Sequence, residues 1–152
     1  MNRKLVAAGL ALALGAGVAL SASAQVKPEI LVKQRQAVMT LQAKYFGPLA
    51  GMAQGRVPYN AQVVARNAAY LEVLSKMPWD GFAASTEGTK SHALPAIWKD
   101  AAKFKAAQEH LESEIGKLAE ATKGGNEATI KAAIGAVSKA CSGCHEHFRE
   151  KE

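Results

Sequence analysis

Cysteine is nearly absent from this 152-residue chain: Cys141 and Cys144 are the only two, so there is no disulfide framework and no second C-x-x-C pair to complete a zinc ribbon. Histidine is almost as scarce. His145 directly follows the cysteine pair, and His92, His110 and His147 show no H-x(3–5)-H spacing among themselves, which leaves a tetrahedral zinc site short of ligands. No stretch reads as a β-strand, so the pair lacks the strand-helix-strand setting of a thioredoxin-like redox site. Lysine and arginine are scattered among acidic residues and do not cluster with aromatics, which excludes the footprint of a nucleic-acid-binding surface.

Residues Met1 to Ala24 open with Arg3 and Lys4, continue as LVAAGLALALGAGVAL and end in Ala22-Ser23-Ala24. That is the charged start, apolar middle and small-x-small end of a secretory signal peptide, and the run is shorter than the roughly 20 residues of a membrane span. Cleavage is expected before Gln25. It leaves residues 25–152 as one domain and lowers the net charge from +6 to +4, with no membrane insertion of the mature chain. In an oxidising compartment an isolated C-x-x-C pair closes to a disulfide unless something else claims its sulfurs. A histidine directly after the pair makes it read as the attachment site of a c-type haem, whose two thioethers would claim them. The competing reading is two core thiols and a satisfied histidine.

The remainder reads as helices, which makes the fold class all-α. Leu31, Arg35, Val38, Leu41, Tyr45, Leu49 and Met52 recur at steps of three and four, giving a first helix from about Pro28 to about Gln54, with a bend expected near Gly47-Pro48. Asn60 is placed to cap a second helix with an inward stripe of Val63, Asn67, Tyr70, Leu74 and Met77, stopped by Pro78. From Ile97 the positions Ala101, Phe104, Gln108, Leu111, Ile115, Leu118 and Thr122 predict a third helix of about 25 residues, ended by Lys123-Gly-Gly-Asn126. Asn126 caps the fourth, whose stripe runs Ile130, Ile134, Val137, Cys141, Cys144 and Phe148. Cys141, Cys144 and His145 fall within an arc of about 100° on that helix, so one face can hold both vinyl carbons and the iron, while His147 points the other way. Four amphipathic helices make a four-helix bundle, and bundles build cofactor sites from facing helices. Pro78 to Pro95 is long for a connection without structure of its own.

Six segments, KQRQAVM (33–39), GRVPYN (55–60), MPWDGF (77–82), STEGTK (85–90), PAIW (95–98) and ACSGCHEHFR (140–149), are similar to those of the class II cytochromes c. The resemblance is nearest to the cytochromes c′ and spans essentially all of residues 25–152. It implies an antiparallel up-down-up-down bundle with one covalently bound haem c in the periplasm, held through Cys141 and Cys144, with His145 as proximal iron ligand. Arg149 matches a basic residue beside that imidazole, though a solvated cation at a helix C-terminus would look the same. Arg35, with Gln36 beside it, matches a position that contacts a haem propionate.

Met39 matches the distal position over the iron. It either blocks the sixth site by bulk, leaving a five-coordinate, high-spin haem open to NO and CO, or ligates the iron in a low-spin Met/His electron carrier. The R-Q-x-x-M pattern and the PWxxF and TEG segments look more like the high-spin members. The resemblance also implies Trp79 and Phe82 near the haem and Thr86 and Glu87 near its polar edge, although the two aromatics could simply plug the end of the bundle. An apolar distal face without donors is expected, and no polar acid–base pair that would make an enzyme such as a peroxidase. Homodimerisation is expected through the first two helices, with Ala43, Gly47, Ala50, Ala65 and Ala69 as outward small positions.

Overall fold

The computed structural model describes residues 26–151; the expected signal peptide lies outside them. Five α-helices follow one another, α1 (Pro28–Ala53), α2 (Ala61–Leu74), α3 (Ala96–Lys99), α4 (Ala101–Gly124) and α5 (Glu127–Phe148), with 3₁₀ turns at Trp79–Phe82 and Ala84–Thr86 between α2 and α3. Four are long. α1 packs on α2 and α5, and α4 packs on the same two, closing a ring around one core.

The helix starts follow from their caps. Pro28 occupies the first turn of α1, where its missing N–H costs nothing. Asn60 and Asn126 accept from the amides of Val63 (3.0 Å) and Thr129 (2.9 Å), each satisfying one orphan donor. The single helix expected from Ile97 is instead two, because the Asp100 side chain accepts from the Lys103 amide at 3.2 Å and opens a new helix there. Gly125, at φ +69°, ends α4 in the left-handed conformation that glycine adopts without penalty. α1 runs through Pro48, which lies with Lys44 on the exposed side, where water can take the carbonyl released by the missing bond.

Two inward stripes differ from the expectation. On α1, Leu41 is exposed and Gln42 is buried, because Gln42 Nε2 donates to the Leu74 carbonyl at 2.9 Å and so meets its polar requirement inside. On α2 the buried positions are Val64, Asn67, Ala68 and Leu71, while Tyr70 and Met77 face outward. Asn67 is buried as expected, but the rest of the stripe is turned by one residue, and the helix stops at Leu74.

Which residues meet at each end fixes the topology. Leu49, Val64, Leu118 and Ile130 are buried in one core cluster at the end remote from the cysteines, each side chain worth about 2 kcal/mol in removed apolar surface. At the other end Met39, Leu71, Phe104 and Val137 surround one cavity with the cysteines. Chain order therefore leads away from the cavity in α1, towards it in α2, away in α4 and towards it in α5, an up-down-up-down bundle.

The α2–α3 connection is pinned at both ends. Arg35, only 3% exposed, donates to the Gly81 carbonyl (2.6 Å), the Thr86 hydroxyl (3.0 Å) and the Ser91 hydroxyl (3.0 Å), with its guanidinium 4.4 Å from the Phe82 ring centre. A Cβ at Gly81 would come within 2.7 Å of Arg35 Cβ and 3.0 Å of the Leu31 carbonyl, so only glycine lets the turn approach α1 this closely. At the far end the Leu94 amide donates to the Phe148 carbonyl (3.0 Å) and the Glu150 amide to the His92 carbonyl (2.8 Å), tying the connection to the end of α5.

Candidate haem site

A cavity of about 700 Å³ opens between α1 and α5. Cys141, Cys144, His145 and Arg149 of α5 form one wall; Arg35, Gln36, Met39, Gln42 and Phe46 of α1 form another; Trp79, Phe82 and Phe104 contribute aromatic surface. Val137 and Ala140 sink into the core, while the two cysteines, one step around the helix, are half-buried and line the cavity. Phe104 touches both Phe82 (5.0 Å between ring centres) and Phe148 (5.2 Å), which braces the aromatic wall against the last turn of α5. A second concavity of about 650 Å³, lined by residues that include Lys33, Glu87 and Lys90, is more open to solvent and holds no cysteine or histidine. The chemistry lies in the first.

Burial raises both thiols above their ordinary range, Cys141 to about 11 with the neighbouring Cys144 adding to the effect. They are neutral nucleophile precursors and inert as free redox thiolates at neutral pH. His145 is exposed where it faces the cavity, yet protein around the ring desolvates it and the Arg149 guanidinium adds repulsion, so its pKa is lowered and the imidazole is neutral at pH 7. A neutral imidazole is the form that ligates a metal. Among the described residues no three His, Cys, Asp or Glu side chains converge on a metal-ion site, which leaves a zinc reading without its ligand set. An apolar cavity of porphyrin-compatible chemistry, with two thiols and one neutral imidazole on one face and basic groups at its rim, fits a haem.

Met39 stands on the wall formed by α1, half-buried. Gln36 is exposed at the junction of the two concavities and lines both. Trp79 and Phe82 line the cavity, and the Trp79 indole nitrogen is spent on the Ser75 carbonyl at 2.6 Å. Thr86 lies behind the wall, fully buried, donating to the Ala83 carbonyl (2.7 Å) and accepting from Arg35. Glu87 lines the neighbouring concavity instead. Arg149 is half-buried, and its amide donates to the His145 carbonyl at 3.1 Å.

His147 points out to solvent, and His92, exposed at the cavity rim, lies 3.5 Å from Glu150. The sequence reading missed Gln42 and Phe104 as cavity residues. The spacing Arg35, Gln42, Leu49, seven residues apart throughout, was the available signal for the first.

A family model described as Cytochrome C′ matches residues 31–149. Cytochrome c′ from Rubrivivax gelatinosus is 45% identical over 126 residues, covering 82% of this chain and 98% of that protein. Its crystal structure at pH 8.0 superposes with a TM-score of 0.79 at 44% identity, again over 82% and 98% of the two chains. Two structures of cytochrome c prime variants from Alcaligenes xylosoxidans, one a nitric oxide complex and the other bound to carbon monoxide, each match with a TM-score of 0.77 at 40% identity, over 83% of this chain and 98% of theirs.

Proposed function

Because the chain belongs to the cytochrome c′ family, we propose that it is a periplasmic c-type haem protein that binds small diatomic gases, NO and CO, at a hindered site and cycles its iron between oxidation states. The observation that carries this reading is the meeting of Cys141, Cys144 and His145 with Met39 in one cavity. Bound there, the haem supplies an iron that takes a gas ligand or exchanges one electron. Cys141 and Cys144 would hold it by thioethers and His145 by its neutral imidazole.

Met39 crowds the side of the cavity built by α1, and the aromatic surface of Trp79, Phe82 and Phe104 keeps it dry. Anions and large ligands lose their hydration on entering such a site without regaining partners, whereas NO and CO have little hydration to lose. Five-coordination through His145, with Met39 a barrier and not a ligand, is part of the proposal. Replacing Met39 with Ala removes the obstruction, and relief of crowding worth about 1–3 kcal/mol raises CO affinity roughly ten- to hundredfold. An unchanged CO titration would mean that Met39 guards nothing.

The second reading, an electron carrier with Met39 and His145 both on the iron, has in its favour the thioether's place in the same cavity as the imidazole. It predicts a ferrous form that CO does not alter.

A homodimer is also proposed, through α1 and α2. Leu41, Tyr70 and Val73 are large apolar side chains left in solvent on these helices, Val73 at 64% exposure, and Met77, just past the end of α2, is 52% exposed. Ala43, Gly47, Ala65 and Ala69 are exposed small positions on the same two helices, Ala43 also lining the cavity, whereas Ala50 is half-buried. Val73→Glu is expected to convert a dimer into a monomer in sedimentation velocity without loss of helicity. Equal masses for the two proteins would remove this face from consideration.

A further inference from the structure

We propose that Gln42 determines ligand specificity in the cavity: its amide oxygen is an acceptor held ready for small neutral ligands that carry a hydrogen on the atom they present. The inference rests on the haem reading above and deepens it. Gln42 lies one turn beyond Met39 on α1, is only 9% exposed and lines the cavity. Its Nε2 donates to the Leu74 carbonyl at 2.9 Å. That carbonyl, at the C-terminal end of α2, can only accept, and it also takes the Met77 amide at 3.2 Å. Turning the carboxamide over would set oxygen against oxygen, so α2 fixes which end of the amide is committed to protein. No described residue donates to the remaining oxygen, Oε1.

Two polar groups on the same walls have their hydrogens committed to protein. The Trp79 indole donates to Ser75 and the Thr40 hydroxyl to the Gln36 carbonyl at 2.9 Å, so both are spent. Phe46, Leu71 and Phe104 supply apolar surface to the same cavity. Oε1 faces the cavity, and a ligand that brings a hydrogen gains a bond to it in place of water, whereas a ligand with lone pairs alone displaces that water and gains nothing. Hydrogen sulfide is neutral, small and an S–H donor, and serves as the probe. The cavity wall therefore contains one fixed amide, whose Nε2 is already committed to α2.

The test compares full-length holoprotein with its Gln42→Met variant, which keeps the volume and removes the amide. Sulfide affinity of the ferric protein, measured below neutral pH where the probe is uncharged, is expected to fall about three- to tenfold, the worth of one neutral hydrogen bond. CO affinity of the ferrous protein is expected to fall by less than the sulfide affinity does, or to rise, since CO brings no hydrogen to the amide oxygen. The infrared stretch of bound CO should move to lower frequency in the variant, because a lone pair near the ligand oxygen opposes electron transfer onto it. In the native protein that band should be the same in H₂O and D₂O, a readout that needs no variant to fold.

Sulfide and CO weakening equally, sulfide unchanged, or a deuterium-sensitive CO band would overturn the proposal, the last by showing an N–H at the ligand. A native protein that carries no haem, or whose haem ignores CO, would instead overturn the underlying reading.

Discussion

Replacing Cys141 and Cys144 together with alanine is expected to turn a pigment that stays with the polypeptide in acidified organic solvent into one that is extracted from it. Both sulfurs line the cavity one helical turn apart, on the wall that also presents His145. They are half-buried and protonated, and both are free cysteines. Each single variant should keep the pigment through its remaining sulfur. Extraction and haem staining of denaturing gels measure the outcome, with circular dichroism as the check on folding. Pigment that stays with the doubly substituted chain would mean that the motif is not the attachment point, and the core-thiol reading would return.

The second large effect concerns Arg35. Its guanidinium is buried, and among the described residues no carboxylate lies within ion-pair distance; burial alone holds its pKa below the usual arginine value. What keeps the cation inside is a set of neutral acceptors, Gly81, Thr86 and Ser91, all on the α2–α3 connection, with the faces of Phe82 and Trp98 beside it. Arg35→Met preserves the stem and strands those acceptors. A loss of about 2–4 kcal/mol is expected, together with faster proteolysis within residues 79–95. Arg35→Lys should fall between, since a single ammonium cannot span the same three partners. Thermal unfolding at equal haem loading measures the first effect and a limited digest the second. A Met variant as stable and as protease-resistant as the native chain would show that the connection is held elsewhere.

Arg35 also shows how far a sequence can be read. Its inward direction was legible from the α1 repeat, but its partners stand 46 to 56 positions away, in a segment with no periodicity to place it. Thr86 was expected at the edge of the cofactor site and is part of this buried node. Caps read well because they are local: Asn60 and Asn126 act on amides three residues ahead. Asp100 has the same chemistry, but the apolar repeat runs across it, and the helix break was lost in that pattern. Apart from Asn67, which is buried as expected, the α2 stripe slipped by one because Val63 and Val64, and Tyr70 and Leu71, are adjacent pairs that offer two faces of nearly equal apolarity. Gln42 was hidden by the reverse logic, a polar residue on an apolar face, tolerated because a carbonyl of another helix receives it. The cysteine motif was legible because spacing and residue type carried it without tertiary help.

The most direct measurement is the optical spectrum of the ferrous holoprotein before and after carbon monoxide. The account predicts a broad high-spin Soret band that sharpens and shifts when the gas is added, the signature of His145 on one side of the iron and an unligated position behind Met39. Sharp, split low-spin bands that carbon monoxide leaves in place would contradict it and make Met39 a ligand.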